Sequence, residues 1–355
     1  NEGGSRLPQR VRWSNTADPS NIDTGNANFI DLSGSDWITG AVKFKGGLLC
    51  VLKEGSVWIG WATGDSDIFN FDRKIDGQGC SAPRTIKVIN GNVVFLGRED
   101  VYIFDGVALN PLGITPDEPQ STKVRRELVE QLNYAQISRA FALVREQEKE
   151  YWIFIPTSGT YPDIAFVYNY ELKSWSKFVF DNDNITGHGT FQLSSSVTYD
   201  DLSGTYNAQT WRFGDRALGA SSPGLLLGNS AGSVFEHSTL VTEEDGEVMN
   251  KQFETKDFNF TKLGTAMRIN RADVSYTGSG MDIYYSTDKG ANWNFIKSLG
   301  ASISLSRAKL SFRTTCDWIR FRCRINETGG NFQFNRMNIF WQKRYIMVES
   351  FCCIL

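Results

Sequence analysis

The sequence predicts an all-β protein: a β-propeller with insertions over residues 1–250, an antiparallel β-sandwich over 251–345 and a tail over 346–355. Three observations carry this. Aromatic residues make up 13% of the 355 residues and glycine supplies 33, while long helical patterns are scarce, which is the balance of a strand-and-turn chain. Four segments repeat one hairpin pattern. Alternating runs after residue 250 enclose Ser286-Thr287-Asp288-Lys289-Gly290-Ala291-Asn292-Trp293, whose spelling S-x-D-x-G-x-x-W is that of an Asp-box hairpin.

The repeats come first in the chain. Gly47–Leu52 is an apolar run, Lys53-Glu54-Gly55 a turn and Ser56–Gly60 a second strand. Asn92–Gly97, Arg98-Glu99-Asp100 and Val101–Gly106 repeat it. So do Glu150–Ile155 with Asp163–Asn169, and Gly224–Gly228 with Ser233–His237 across Asn229-Ser230-Ala231-Gly232. Their starts lie about 44, 58 and 75 residues apart, against ~40–50 for a propeller blade, so the spacing predicts blades with insertions. Continuous apolar first strands fit inner strands packed between neighbouring blades. Trp175 is expected to open an outer strand.

A short helix is expected after Ser121-Thr122-Lys123. Val124, Leu128 and Leu132 fall at i, i+4 and i+8, while Arg125, Arg126, Glu127 and Glu130 take the wet side. This helix would bridge two blades, and Pro116 and Pro119 stop the strand before it. Residues 181–222, rich in Asn, Ser, Thr and Gly, read as a loop or as a β-excursion from one edge. Long loops on a rigid body are where partner contacts are placed, and Trp211 is the candidate there.

After residue 250, Arg271–Tyr276, Met281–Tyr285, Arg307–Arg313, Trp318–Ile325 and Phe334–Trp341 alternate as strands with one wet face. In the Asp-box, Asp288 is expected to fold its carboxylate onto turn N–H groups, Gly290 to supply positive φ and Trp293 to cover the hairpin; Ser286 completes the motif. Its expected role is structural. Arg320, Arg322 and Arg324 share one face by the period of two. Such a row could hold phosphates or carboxylates on a partner, and a solvated face explains it as well.

The net charge of −3 hides a division. Residues 1–250 carry 21 Lys and Arg against 32 Asp and Glu, a balance of −11, and residues 251–355 carry 16 against 8, a balance of +8. The shift supports a boundary near residue 250 and a basic C-terminal surface. Six cysteines (Cys50, Cys80, Cys316, Cys323, Cys352 and Cys353) show no C-x-x-C spacing and read as reduced, buried thiols. No apolar run reaches the ~20 residues of a spanning helix. A first residue other than Met fits a fragment or a processed chain.

A catalytic constellation is hard to assemble. His188 and His237 are the two histidines; the first reads as a loop residue, the second as a strand end, and neither has the spacing of a metal site or triad. Asp65 with Asp67, or Glu148 with Glu150, could be drafted as a glycosidase pair, but acidic turn residues explain them too. A sialidase would need an arginine triad and a Tyr/Glu pair, and it commonly has an Arg-Ile-Pro motif; one Asp-box without Arg-Ile-Pro argues against it. No enzyme activity, cofactor or metal is expected.

The order of motifs resembles a known family. Arg10-Val11-Arg12-Trp13-Ser14, Asp18-Pro19, Asp31-Leu32 and the blade from Val42 to Trp58 are similar to the body of tail nozzle proteins of short-tailed bacteriophages, the tail tubular protein B and packaged-DNA stabilisation groups. Gly79–Thr85 followed by Val93–Gly97 and Val101–Gly106, and the lone Ser-x-Asp-x-Gly-x-x-Trp hairpin at 286–293, resemble them further. The likeness spans roughly residues 8–345; the chain is shorter than typical nozzles, and Phe351–Leu355 has no counterpart.

The resemblance implies a structural virion protein, assembled in the host cytoplasm: a homo-oligomeric ring, hexameric, below the tail adaptor at the end of the DNA channel. Its partners would be adaptor or portal-complex proteins and tail fibres or spikes, with genomic DNA passing through. An acidic propeller would repel DNA phosphates, and a basic sandwich would dock on an acidic neighbour. The alternatives are a propeller-based tail protein that binds a host glycan or receptor, and a sialidase-like glycan hydrolase.

Overall fold

The computed structural model describes residues 6–64, 68–113, 125–180, 184–191, 224–237, 243–244, 247–248, 251–259, 265–326, 330 and 332–345. The chain forms two compact units that divide after His237, ahead of the charge shift at residue 250.

The N-terminal unit is a succession of antiparallel meanders. The first blade runs Ile38–Phe44, Leu48–Lys53, Ser56–Ala62, Phe69–Asp76. The second runs Lys87–Ile89, Asn92–Leu96, Val101–Phe104, Leu109–Pro111, and the third Phe141–Arg145, Glu150–Ile155, Ile164–Asn169, Ser174–Val179. A three-stranded sheet follows, Ile185–Phe191, Gly224–Asn229, Val234–His237. Each hairpin expected from the sequence supplies the second and third strands of its sheet.

Period-two geometry explains the consecutive apolar residues within those strands. Successive side chains point to opposite faces, and here both faces are covered. Val93 and Phe95 pack with Cys50, Leu52, Val57 and Ile59 of the first blade. Val94 and Leu96, one step along the same strand, pack with Tyr151, Ile153 and Phe166 of the third. Trp152 and Phe154 face the other way, onto Leu225 and Leu227. Sheets therefore stack face to face in chain order, as propeller blades do. Burying each such side chain stabilises by ~1.5–3 kcal/mol. The outward face of the first blade, with Val51, Trp58 and Phe71, is covered by Val11, Trp13 and Ile30 of the ribbon Arg10–Trp13 and Asn28–Asp31.

Two expectations change in detail. The described helix is Arg125–Gln131, and its Leu128 joins Leu132 in the core shared by the second and third blades; Val124 and the expected cap lie outside the described residues. The stretch 181–222 is not loop throughout, because Ile185–Phe191 pairs with Gly224–Asn229 as a strand, placing His188 in a sheet. Trp211 lies outside the described residues, as do Asp65 and Asp67.

The C-terminal unit is a sandwich. One sheet has the order Gln252–Glu254, Arg320–Ile325, Met281–Ser286, Asn294–Leu299, and the other Ser302–Cys316, Thr265–Gly278, Phe332–Tyr345. Met281, Ile283, Phe321 and Cys323 meet Met267, Ile269, Val274 and Leu310 in one core between them. Cys50, Cys80, Cys316 and Cys323 are free and buried, and burial pushes their thiols up to about 11 or about 12. Among the described residues no helix is long and apolar enough to cross a membrane.

Candidate functional site

Antiparallel register places the sequence-predicted residues on the outer face of the four-stranded sheet. Glu254, Arg322, Tyr284 and Phe295 stand side by side in one row. Gln252, Arg324, Asp282 and Ser298 form the next, and Arg320 stands opposite Ser286. Ser286, Asp288, Gly290, Trp293, Arg320, Arg322 and Arg324 thus converge from two distant stretches of sequence.

The Asp-box closes on itself. Ser286 Oγ donates to Asp288 Oδ1 at 2.6 Å and accepts the Gly290 N–H at 2.8 Å. Asn292 donates its backbone N–H to Oδ1 at 2.9 Å and its side-chain amide to Oδ2 at 2.7 Å. The Ser286 hydroxyl and these Asn292 donors hold the Asp288 carboxyl down to about 2. Gly290 takes φ +94°, the conformation the motif requires. The Arg322 guanidinium lies 3.9 Å from the centre of the Trp293 ring.

Arg320 and Arg322 are internally compensated. Arg320 binds Asp257 through two nitrogens, at 2.9 and 3.1 Å. Arg322 donates to Glu254 at 2.8 Å. Half-buried ion pairs of this kind leave few donors for an outside anion, so the reading of an open three-guanidinium grip is revised. Arg324 is the exposed member of the row.

The open cationic surface lies on the other sheet. Arg307, Ser275 and Arg336 form one row across three strands, with the two arginines on strands ~10 Å apart. Lys309, Asp273 and Asn338 form the next, then Ser311, Arg271 and Phe340, then Thr315, Arg268 and Gln342. Asp273 is the acid on these rows, and Arg271 clamps it at 2.6 and 2.5 Å. That pairing holds its carboxyl below the usual range, against some burial and with help from Lys309. No hydrogen bond or ion pair among the described residues engages Arg268, Arg307 or Arg336, and Arg307, Lys309 and Arg336 are exposed. Sequence reasoning expected a basic C-terminal surface but did not single out these residues, because they come from three strands. The excess of +8 was the available signal, being larger than three arginines.

In the N-terminal unit a pocket of about 470 Å³ opens beside Asn90, Asn92, Asn110, Leu112, Tyr168 and Tyr170, where the second blade meets the third. The drafted carboxylates Glu148 and Glu150 both bind Arg145, at 2.9 and 3.4 Å, and Glu150 also accepts from Trp152 Nε1. His188 stacks on Phe141, and partial burial with Lys87 and Arg84 nearby lowers its pKa. His237 meets Trp152 edge-on; burial and Arg145 lower its pKa against an opposing Glu148. Among the described residues no cluster of three or more His, Cys, Asp or Glu could hold a metal ion.

No family model matches the chain, and no curated protein does. Among solved structures it is similar to a glycoside hydrolase at 12% identity, covering 86% of this chain and 84% of that one, with a TM-score of 0.25. It is also similar to the family 43 arabinoxylan arabinofuranohydrolase of Bacillus subtilis, solved with cellotetraose, at 12% identity over 87% of this chain and 80% of that one, with a TM-score of 0.21. Both are hydrolases, so the expectation that this chain is not an enzyme is withdrawn. Likenesses at these TM-scores carry no argument for a shared reaction, and the fold rests on the sheets themselves.

Proposed function

We propose that this chain is a structural component of the tail of a short-tailed bacteriophage, of the nozzle kind. Its blades give a stiff body, and the outer face of the Ser302–Cys316, Thr265–Gly278, Phe332–Tyr345 sheet is its docking surface. The observation that carries the reading is the opposite charge of the two parts of the chain. Arg268, Arg307 and Arg336 are exposed or half-buried without ion-pair partners, while residues 1–250 carry a balance of −11. Complementary charge of this kind steers association and fixes register. The acidic neighbour would be another copy of the chain or the adaptor above it. The ordered blade motifs and the single Asp-box hairpin, each of which forms a real element of the fold, support the resemblance from which the reading starts.

Cryo-electron microscopy of particles labelled against this chain tests it. A sixfold ring on the tail axis is expected, and a lateral position would overturn the reading. A second reading, contact with a host-surface glycan, is favoured by the amide- and tyrosine-lined pocket of the N-terminal unit.

A further inference from the structure

We infer that the pocket at the seam of the second and third blades binds a neutral saccharide; the inference rests on the glycan-contact reading and gives it a site. At about 470 Å³ the pocket falls within the range of small-molecule sites. Among the described residues its walls carry no Asp, Glu, Lys, Arg or His. A charged ligand would lose its hydration there without a counter-charge, so the occupant is neutral.

Three carboxamides line it, from Asn90, Asn92 and Asn110, and each can donate and accept. Between them stand apolar surfaces of Ile103, Leu112 and Tyr168. A molecule with hydroxyls around its edge and C–H groups on its faces matches that alternation, and a pyranose is such a molecule.

An orphaned atom on a wall residue sharpens the assignment. Asn92 Oδ1 is buried and has no hydrogen-bond donor, and Trp175 Nε1 is buried and has no acceptor. Native interiors seldom leave such groups unmade, and an unmade one forfeits its hydration. Asn92 is a wall residue, and a ligand hydroxyl is a donor that its oxygen can accept. Asn92 departs from its own strand: Val94 and Leu96, on the same face by the period of two, are buried apolar residues of the blade seam. Local departures of this kind collect at functional sites. Trp175 stacks on the pocket residue Tyr168 at 4.9 Å. A Cβ on Gly113, which takes φ +89°, would stand 2.8 Å from Trp175 Nε1, so only bare backbone fits against that ring beside the pocket.

The test titrates the full chain, by calorimetry and tryptophan fluorescence, with neutral disaccharides (cellobiose, maltose, lactose, chitobiose), with sialyllactose and with a panel of bacterial surface polysaccharides. Expected are saturable binding of a neutral disaccharide with a change in tryptophan emission, about tenfold or greater weakening in Asn92→Leu, and an unchanged or raised melting temperature in that variant. A purely structural Asn92 would instead lower the melting temperature. No neutral disaccharide bound at tens of millimolar would overturn the inference, as would binding of sialyllactose alone. If a surface polysaccharide binds equally to the parent chain and to Asn92→Leu, the glycan-contact reading stands and the pocket assignment falls. If no polysaccharide binds either, both fall.

Discussion

The ammonium of Lys53 is sealed from solvent and lies 2.7 Å from a carboxylate oxygen of Asp36. It also donates to the backbone oxygen of Ser33 at 3.0 Å, while Asp36 accepts from Ser56 Oγ at 2.9 Å and the Gly55 N–H at 3.2 Å. The pair ties the first blade's inner hairpin to the segment before it. Removing one partner strands the other as an uncompensated charge, so Lys53→Met is expected to cost about 3–5 kcal/mol. The double variant Lys53→Met with Asp36→Leu should recover part of that. Urea unfolding of the three chains decides: a loss below ~1 kcal/mol in the single variant would show the pair to be incidental.

The same pair makes the fold sensitive to acid. Burial raises the Asp36 carboxyl, but Lys53, Ser56 and Gly55 lower it further, and the net direction is down. A carboxyl depressed in the folded state contributes stability above its unfolded value of ~3.9, and loses it as pH falls through the lower folded value. Stability should therefore decline more steeply below about pH 4 in the parent chain than in Asp36→Asn. Parallel slopes would remove Asp36 from the account.

At the Asp-box, Gly290→Ala places a Cβ at 3.2 Å from Arg320 Nη1 on a backbone of φ +94°. A destabilisation of ~1 kcal/mol or more is expected, together with a shift in the environment of Trp293. Asp288 is depressed to about 2, so its turn persists above the unfolded carboxyl value and loosens as pH falls through about 2. The Asn292 amide resonance reports this directly. A midpoint near ~4 would mean that the carboxylate is not held as described.

How much of this was legible in the sequence follows from burial. The inner hairpins could be read because strands such as Leu48–Lys53 and Glu150–Ile155 are covered on both faces and so are apolar at every step from Leu48 to Leu52 and from Tyr151 to Ile155. The outer strands Phe69–Asp76 and Ser174–Val179 are mostly exposed and carry little pattern, so the four-stranded blades could not be counted. The Asp-box was readable because its donors lie within five residues. The compensation of Arg320 and Arg322 was not, since Asp257 and Glu254 stand more than 60 positions earlier and meet them only through pairing with Gln252–Glu254 and the segment after it. The Asn-lined pocket likewise draws on two blades.

The two faces of the sandwich should behave differently toward polyanions. Arg307→Glu with Arg336→Glu removes two unpaired cations and inserts two acids, so retention on a heparin column should fall to markedly lower salt without loss of melting temperature. Arg320→Gln with Arg322→Gln breaks the contacts to Asp257 and Glu254 instead, and should lower the melting temperature with less effect on retention. Equal retention of both variants would remove the basic face as the docking surface.

The last prediction concerns the seam between the first two blades, where the chain passes through Gly79, Cys80 and Ser81. Cys80 N–H donates to the Lys53 carbonyl at 2.9 Å and Ser81 N–H to the Leu96 carbonyl at 2.9 Å, so this strap is bonded to both blades. A Cβ on Gly79 would stand 2.2 Å from the Lys53 carbonyl oxygen and 2.8 Å from the Ser56 nitrogen. Both are backbone atoms of the first blade's inner hairpin, so neither can yield by rotating a side chain, and the strap itself must move. Overpacking of this kind costs about 1–3 kcal/mol, and the movement would stretch the two hydrogen bonds that join the blades. Gly300→Ala is the control, because nothing stands within 4 Å of a Cβ there and no left-handed φ is involved. Its effect should stay within about 0.5 kcal/mol. Urea unfolding of Gly79→Ala against Gly300→Ala, with hydrogen exchange at the Cys80 and Ser81 amides, separates the cases. Faster exchange at those two amides and a lower midpoint in Gly79→Ala alone are expected, and equal behaviour would mean that the blades are joined elsewhere.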